Sequence, residues 1–386
     1  MVAVDESTSI RNPKAKRTKY VVNKIGVPAA YRRTLTGLPN PKSPLDIYSQ
    51  FEFLDPNILG FKTYAAFEQR YADIERICFV PKRLLIAKLE KVVGKHIVKP
   101  GFGRFAVADM SQQQLLQELL GRNIYVQQVP RIKGFKNQEE LRDKIAPFVY
   151  RKTLEDCYDL PPKIFIRRDV EMLPMQRKAY EEMQAFFTTQ LENSEHVTAA
   201  NVITCMLKLH QILCGHVKDE QGVIQQVPSK RVESLLELLD EYDGEKAIIW
   251  CSYDYDVQEV SRLLVDTYGV ESVARFWGGN KNTREEEEKQ FLTNPECRFI
   301  VATPAAGGKG RTWVNADLVV YYSNSHDLEH RMQSEERAQG VGKINSVAYV
   351  DLVATDTVDE KILLALRHKM NLAAVINGDN WREWVV

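Results

Sequence analysis

The feature that most constrains this chain is an alternation in its second half. Short apolar runs rich in β-branched residues occur at Ala247–Cys251, Val273–Phe276, Phe299–Ala302, Leu318–Tyr322 and Val347–Val353. Between them lie Asp254–Thr267, Thr283–Leu292, Leu328–Ala338 and Val358–Lys369, whose apolar residues recur at helical spacing. Strand–helix alternation of this kind specifies a parallel sheet with helices on its faces. Crossovers in such a sheet are right-handed, and sites open at the carboxyl ends of its strands.

The middle of the chain reads differently. From Phe61 to His216 helical periodicity dominates, as in Tyr64–Arg76, Gln112–Leu120, Met175–Leu191 and Val202–Cys214, punctuated by Gly101–Gly103 and Pro161–Pro162. This predicts a helical insertion followed by a helical connector. Val223–Pro228 reads as a short exposed turn leading into the second α/β unit. No internal repeat or low-complexity segment interrupts the pattern.

Composition narrows the class further. The 386 residues are 44 % hydrophobic and 27 % charged, with 52 basic against 52 acidic side chains. That balance suits a globular protein and excludes a disordered tail, a collagen-like fibre and a small disulfide scaffold. Zero net charge argues against a uniformly basic nucleic-acid binder but leaves room for a local basic face. No stretch approaches the ~20 consecutive apolar residues of a membrane span. Met1–Glu6 lacks the basic and apolar regions of a secretory signal. The six cysteines are scattered without a CxxC pair, as reduced thiols of a cytoplasmic protein would be.

The candidate chemistry begins at the front. Met1–Val4 is a short apolar run ending in Asp5-Glu6. A strand that delivers Asp-Glu at its carboxyl end is a Walker B arrangement. In it the Asp holds the Mg²⁺ of a nucleotide and the Glu orients or deprotonates the attacking water. Asp5-Glu6-Ser7-Thr8 continues into Ile10–Lys19, which carries Arg11, Lys14, Lys16, Arg17 and Lys19. Arg33-Thr34-Leu35-Thr36-Gly37-Leu38-Pro39 follows, then Ser43-Pro44-Leu45-Asp46-Ile47-Tyr48-Ser49-Gln50-Phe51 and Leu54-Asp55-Pro56.

This series resembles the Swi/Snf-type DNA translocases of helicase superfamily two. Their motif II begins Asp-Glu-Ala-His, and their motif III reads Leu-Thr-Gly-Thr-Pro. The resemblance runs on through Ala146–Lys152, Leu160-Pro161-Pro162-Lys163 and Leu207–His216. Lys246–Ser252 is similar to motif IV, Thr303–Gly310 to motif V and Gln333-Ser334-Glu335-Glu336-Arg337-Ala338 to motif VI. An ordered series of matches across nearly the whole chain is far more specific than any one of them.

The resemblance implies RecA-like parallel-sheet lobes, the first incomplete and the second complete, with a helical insertion between them. Residues 1–60 would be the end of lobe 1 and 61–150 the protrusion that grips duplex DNA. Residues 151–228 would close lobe 1 and form a connector, and 229–386 would be lobe 2. It implies an ATP-dependent double-stranded DNA translocase using ATP and Mg²⁺. Asp5 would hold the Mg²⁺, and Glu6 would position water. Thr36 and Gly37 would couple nucleotide to DNA. Gly308 and Gly310 would let the motif V backbone approach phosphate closely, since glycine has no Cβ. Gln333 and Arg337 would reach the nucleotide, and Lys14, Lys16, Arg17 and Thr303 would contact DNA.

Two departures qualify the picture. No Gly-x-x-x-x-Gly-Lys-Ser/Thr occurs among the residues, although the family places that phosphate cradle before motif II. The expectation is therefore a truncated or split motor whose cradle comes from an N-terminal lobe polypeptide. In motif VI, Gly340 stands where the family has its second arginine. Such a finger contributes ~10³–10⁵ in rate, and Lys343 nearby replaces a planar fork poorly. The alternative is a catalytically inactive DNA-binding or docking module. A metal-dependent nuclease built on Asp5 and Glu6 lacks a supporting cluster.

Other features take plainer readings. Cys205, His210, Cys214 and His216 match no standard zinc spacing and sit at helical intervals, which predicts core positions and no structural zinc. Glu285–Glu288 reads as a solvated helix face. Trp250, Trp277 and Trp313 read as core rather than as stacking platforms. Compact insertions suggest a bacterial or phage setting.

Overall fold

The computed structural model describes residues 1–79, 97–98, 106–107, 127–153, 156–193, 199–219, 221–308 and 310–377. These form two compact units. One comprises Met1–Phe67, Asn137–Leu173 and Ser229–Val386, and the other comprises Glu68–Lys136 and Pro174–Pro228. Among the described residues no helix is long and apolar enough to cross a membrane.

The first unit is built on six parallel strands. Across the sheet they run Val273–Phe276, Phe299–Ala302, Ala247–Trp250, Leu318–Tyr321, Val347–Ala354 and Lys163–Val170. The first five are the apolar runs expected from sequence. Phe299–Ala302, Ala247–Trp250 and Leu318–Tyr321 are buried at every position, because helices cover both faces of a parallel sheet. Ile248, Ile300 and Val319 have no measurable exposure, and Trp250 stacks on Trp313 with ring centroids 5.5 Å apart. Both indoles are core, as expected; Trp277 is half-buried, its backbone N–H donating to Asn280 Oδ1 at 3.0 Å.

Lys163–Val170 is the strand that the sequence hides. It pairs over eight residues with Val347–Ala354 at the sheet edge. Ile164, Phe165 and Ile166 stay partly exposed, and Phe165 stacks on Tyr349 at 5.2 Å. Arg167 and Arg168 pair with Glu360 and Glu241, both at 2.6 Å. Charged side chains along an exposed edge discourage further strand pairing.

A smaller parallel pair lies at the front of the same unit. Val2–Val4 runs beside Arg32–Thr34 in register Val2↔Arg32 through Val4↔Thr34. The helix Ile47–Leu54 follows and buries Ile47, Phe51 and Phe53. Ser43 and Asp46 form a capping box at the entry to this helical stretch.

The second unit is not purely helical. Tyr64–Tyr71 is a helix, but Ala72–Phe79 continues as a strand paired antiparallel with Gln127–Phe135. The helical reading of Tyr64–Arg76 thus fails over its last five residues, Ala72–Arg76, which are taken into this strand pair. Pro174–Asn193 and Ala199–Leu213 are helices, as the periodicity predicts. Gln176 Nε2 donates to the carbonyls of Ile212 and Leu213 at 2.9 and 3.2 Å and ties these two helices together. The expected turn at Val223–Pro228 includes the strand Ile224–Gln226, a hairpin partner of His216–Lys218. The predicted helix Gln112–Leu120 and the residues Trp381 and Trp384 lie outside the described residues.

Candidate active site

The front strand pair sets motifs II and III side by side. The Leu35 N–H donates to the Val4 carbonyl at 2.9 Å, and the Ser7 N–H donates to the Leu35 carbonyl at 3.0 Å. Asp5 is therefore delivered to solvent at the end of its strand, where its Oδ1 accepts the Glu6 N–H at 2.9 Å. Glu6 adopts φ 48°, ψ 56°, a left-handed conformation that turns the chain sharply after the strand. Thr36 is half-buried and its Oγ1 accepts the Leu38 N–H at 3.2 Å. Gly37 is exposed, with no atom within 4 Å of where a Cβ would stand.

Motif V forms the turn after the strand Phe299–Ala302. Thr303 is 8 % exposed and precedes the short helix Pro304–Gly307. A Cβ on Gly308 would collide with the Pro304 carbonyl oxygen, and one on Gly307 would lie 2.6 Å from the Trp313 ring. Gly310 holds φ 64°. Two of these glycines are thus required by close approach and one by its dihedral angle.

Motif VI lies on and after the helix Leu328–Glu335, which begins where Asp327 Oδ1 accepts the Glu329 N–H at 3.0 Å. Gln333 packs against Gly308, 3.8 Å from a Cβ built there. Its Oε1 is buried with no hydrogen-bond partner among the described residues. Arg337 donates from Nε to the Gln333 carbonyl at 2.7 Å and from Nη1 to the Arg311 carbonyl. Burial pushes the Arg337 pKa down, while the carboxylates of Glu336 and Glu6 pull it up. The Glu6 carboxylate therefore lies within electrostatic reach of Arg337.

Motif II is also tied directly to the motif VI helix. Thr8 Oγ1 donates to Glu329 Oε1 at 2.8 Å, and Arg11 Nη1 pairs with Glu329 Oε2 at 2.7 Å. Lys14, Lys16 and Arg17 follow, all exposed, around the helix Lys16–Tyr20.

The second motif VI position is closed off. Gly340 is buried, and a Cβ there would stand 3.1 Å from Val314 Cγ1. Lys343 does not serve in its place. It is 8 % exposed and donates to the carbonyls of Val314 and Ala316 and to Asp317 Oδ1.

The acidic run Glu285–Glu288 is only half solvated, which corrects its reading as a solvated face. Glu288 Oε1 accepts the Trp313 indole N–H at 2.7 Å, and Glu288 Oε2 pairs with Arg311 at 2.8 Å. Glu287 pairs with Arg275 at 3.1 Å. On a helix, adjacent carboxylates point a quarter-turn or more apart, so one end of a charge run can face the core. Glu288 thereby holds Arg311, whose carbonyl receives Arg337. Among the described residues no group of three or more His, Cys, Asp or Glu side chains is set to hold a metal ion.

Residues 1–218 match the SNF2-related domain, and residues 230–342 match the helicase conserved C-terminal domain. The first match alone covers more than half of the chain. The chain belongs to the SNF2-related family. Among its relatives is an uncharacterized ATP-dependent helicase of Mycoplasma pneumoniae, 23 % identical over 97 % of this chain and 30 % of the relative. The TATA-binding protein-associated factor MOT1 of Saccharomyces cerevisiae is 23 % identical over 98 % of this chain and 20 % of its own length. The chain thus spans between a fifth and a third of these relatives. Among solved structures, the Sulfolobus solfataricus SWI2/SNF2 ATPase core in complex with dsDNA is 21 % identical. It aligns over all of this chain and 70 % of its own, with a TM-score of 0.46.

Within this SNF2-related chain, the structure brings Gly308, Gln333 and Arg337 together and sets Glu6 within electrostatic reach of Arg337. It leaves Lys14, Lys16 and Arg17 as an exposed basic segment. Reading the motifs alone passes over Glu329, Gln50, Glu288 and Arg311. Glu329 stands one helical turn before Gln333, a spacing that puts both on one face, and that is the signal by which it could be found.

Proposed function

We propose that this SNF2-related chain supplies part of the site of an ATP-driven translocase on double-stranded DNA. The observation that carries the reading is that Gln333 and Arg337 pack against Gly308 and the Arg311 carbonyl of the motif V turn, while Thr8 and Arg11, just after Glu6, bond Glu329 of the motif VI helix. Gln333 offers a buried acceptor with no hydrogen-bond partner among the described residues, as a nucleotide-contacting amide would. Arg337 is held by two main-chain carbonyls, so little side-chain entropy remains to be lost when it meets charge. Glu6 is the group that would orient or deprotonate water. Asp5, exposed at the strand end, is the residue that would hold the Mg²⁺ accompanying a nucleotide. Bound there, the ion would neutralise charge on the phosphoryl group.

On this reading the phosphate cradle comes from outside these residues, on an N-terminal lobe carrying a Walker A motif. DNA contacts run through Lys14, Lys16, Arg17 and Thr303, and they go to phosphates, so binding tolerates sequence. Thr36 and Gly37 transmit nucleotide state to that contact. The cytoplasm of a bacterial or phage-infected cell is the setting we infer from the scattered cysteines, which form no CxxC motif, and the compact insertions.

The experiment mixes the chain with a Walker A lobe of the same family and follows ATP hydrolysis with and without duplex DNA. DNA-stimulated turnover supports the reading, and no turnover with any such lobe overturns it. One observation favours a second reading, a DNA-binding module without turnover: Gly340 is packed under Val314 and Lys343 is occupied. Gly340→Arg combined with Val314→Ala separates the two. A gain in turnover marks an intact catalytic frame, and no gain in a folded protein marks a scaffold.

A further inference from the structure

We propose that Glu329 and Gln50 are positioning residues that lock motifs II, III and VI into one register. This rests on the function proposed above. The bonds form a continuous chain through the interior. Gln50 Nε2 donates to the Pro39 carbonyl at 2.6 Å and to the Asp46 carbonyl at 2.9 Å. Ser7 Oγ donates to Gln50 Oε1 at 2.6 Å. The next residue, Thr8, donates to Glu329 Oε1, and Arg11 pairs with Glu329 Oε2. Ser49 Oγ donates to the Arg11 carbonyl at 3.3 Å and closes the chain back onto the Gln50 helix.

Burial makes this arrangement more than a surface contact. Ser7, Thr8, Gln50 and Glu329 are 0, 4, 3 and 7 % exposed. A buried carboxylate is tolerated only where donors replace its water. Two of Glu329's donors come from the motif II segment, more than 300 residues away in sequence. Docking that segment therefore solvates Glu329 from within the protein, and undocking it must hand the carboxylate back to water. Such a group has two favourable situations and an unfavourable one between them, which is how a contact becomes a latch. Glu6 lies two residues before Thr8, and Gln333 lies one helical turn after Glu329. Closing the latch thus apposes the water-orienting carboxylate to the motif VI side chains.

The test places spin labels, on unnatural amino acids, at the exposed positions Tyr20 and Val270 and measures their separation by pulsed electron resonance. The unaltered chain should give a single narrow distribution. Glu329→Ala should broaden and lengthen it while circular dichroism is unchanged. Glu329→Gln, which keeps an acceptor for Thr8, should fall between. If Glu329→Ala does not fold, the near-isosteric Thr8→Val carries the same expectation. An unchanged distribution in a folded variant overturns the proposal. When the chain is complemented with a Walker A lobe, Glu329→Gln should lower kcat by about 10- to 100-fold and leave KM for ATP within about threefold. Absence of turnover in every form would sink the functional reading alone, because the distance measurement needs no hydrolysis.

Discussion

Glu6 sits in the left-handed region at φ 48°, ψ 56°, where a non-glycine side chain costs about 1–3 kcal/mol. Strain at a position proposed to orient water is tolerated because the strand before it and the bonds after it fix the chain. The Ser7 N–H and side chain are both engaged, with Leu35 and Gln50. Glu6→Gly should therefore be more stable than Glu6→Ala by about 1 kcal/mol, the reverse of the helix-interior order. Urea denaturation followed by tryptophan fluorescence checks this. Equal midpoints would mean that the turn relaxes on substitution. Gly308 poses the opposite problem, since its neighbour Pro304 leaves no room for a Cβ.

At the scale of elements, one side chain holds much of the sheet's carboxyl end. Arg231 is fully buried at the start of the helix Arg231–Glu241. It donates to the Tyr322 and Leu352 carbonyls at 2.6 and 3.2 Å and pairs with Asp359 of the C-terminal helix. Removing one partner of a buried pair leaves the other charge uncompensated, so Arg231→Ala should lower stability by about 3–5 kcal/mol. Arg262→Ala, which breaks exposed pairs to Glu259 and Asp266, should cost under about 1 kcal/mol. Thermal unfolding of the two variants side by side gives the comparison. The strands and helices from Ala247 to Lys369 were legible because the strands are short and largely apolar and most of the helices amphipathic. Lys163–Val170 was not, because an edge strand carrying Arg167 and Arg168 has no such pattern. Ala72–Phe79 was lost for a related reason: its neighbour Tyr64–Tyr71 is helical, and the charges between its apolar residues imitate a helix face. The order of the motifs was legible in the sequence. The closure of the site was not, since Thr8 and Glu329 are joined only by folding.

For the whole molecule, zero net charge hides an uneven surface. Lys14, Lys16 and Arg17 are exposed on one short segment, and neutralising all three should weaken duplex DNA binding evenly across sequences. Each phosphate contact contributes about 0.9 to the slope of log affinity against log salt, so the triple glutamine variant should lose up to about 2.7 of that slope. Fluorescence anisotropy at several salt concentrations measures it, and an unchanged slope would move the DNA contact elsewhere. The central claim is that Glu6 and the motif VI side chains share one catalytic cleft. Its most direct test is single-turnover ATP hydrolysis by the chain complemented with a Walker A lobe, comparing Glu6 with Glu6→Gln. The account predicts a rate loss of at least about 100-fold with ATP still bound; hydrolysis at an undiminished rate would contradict it.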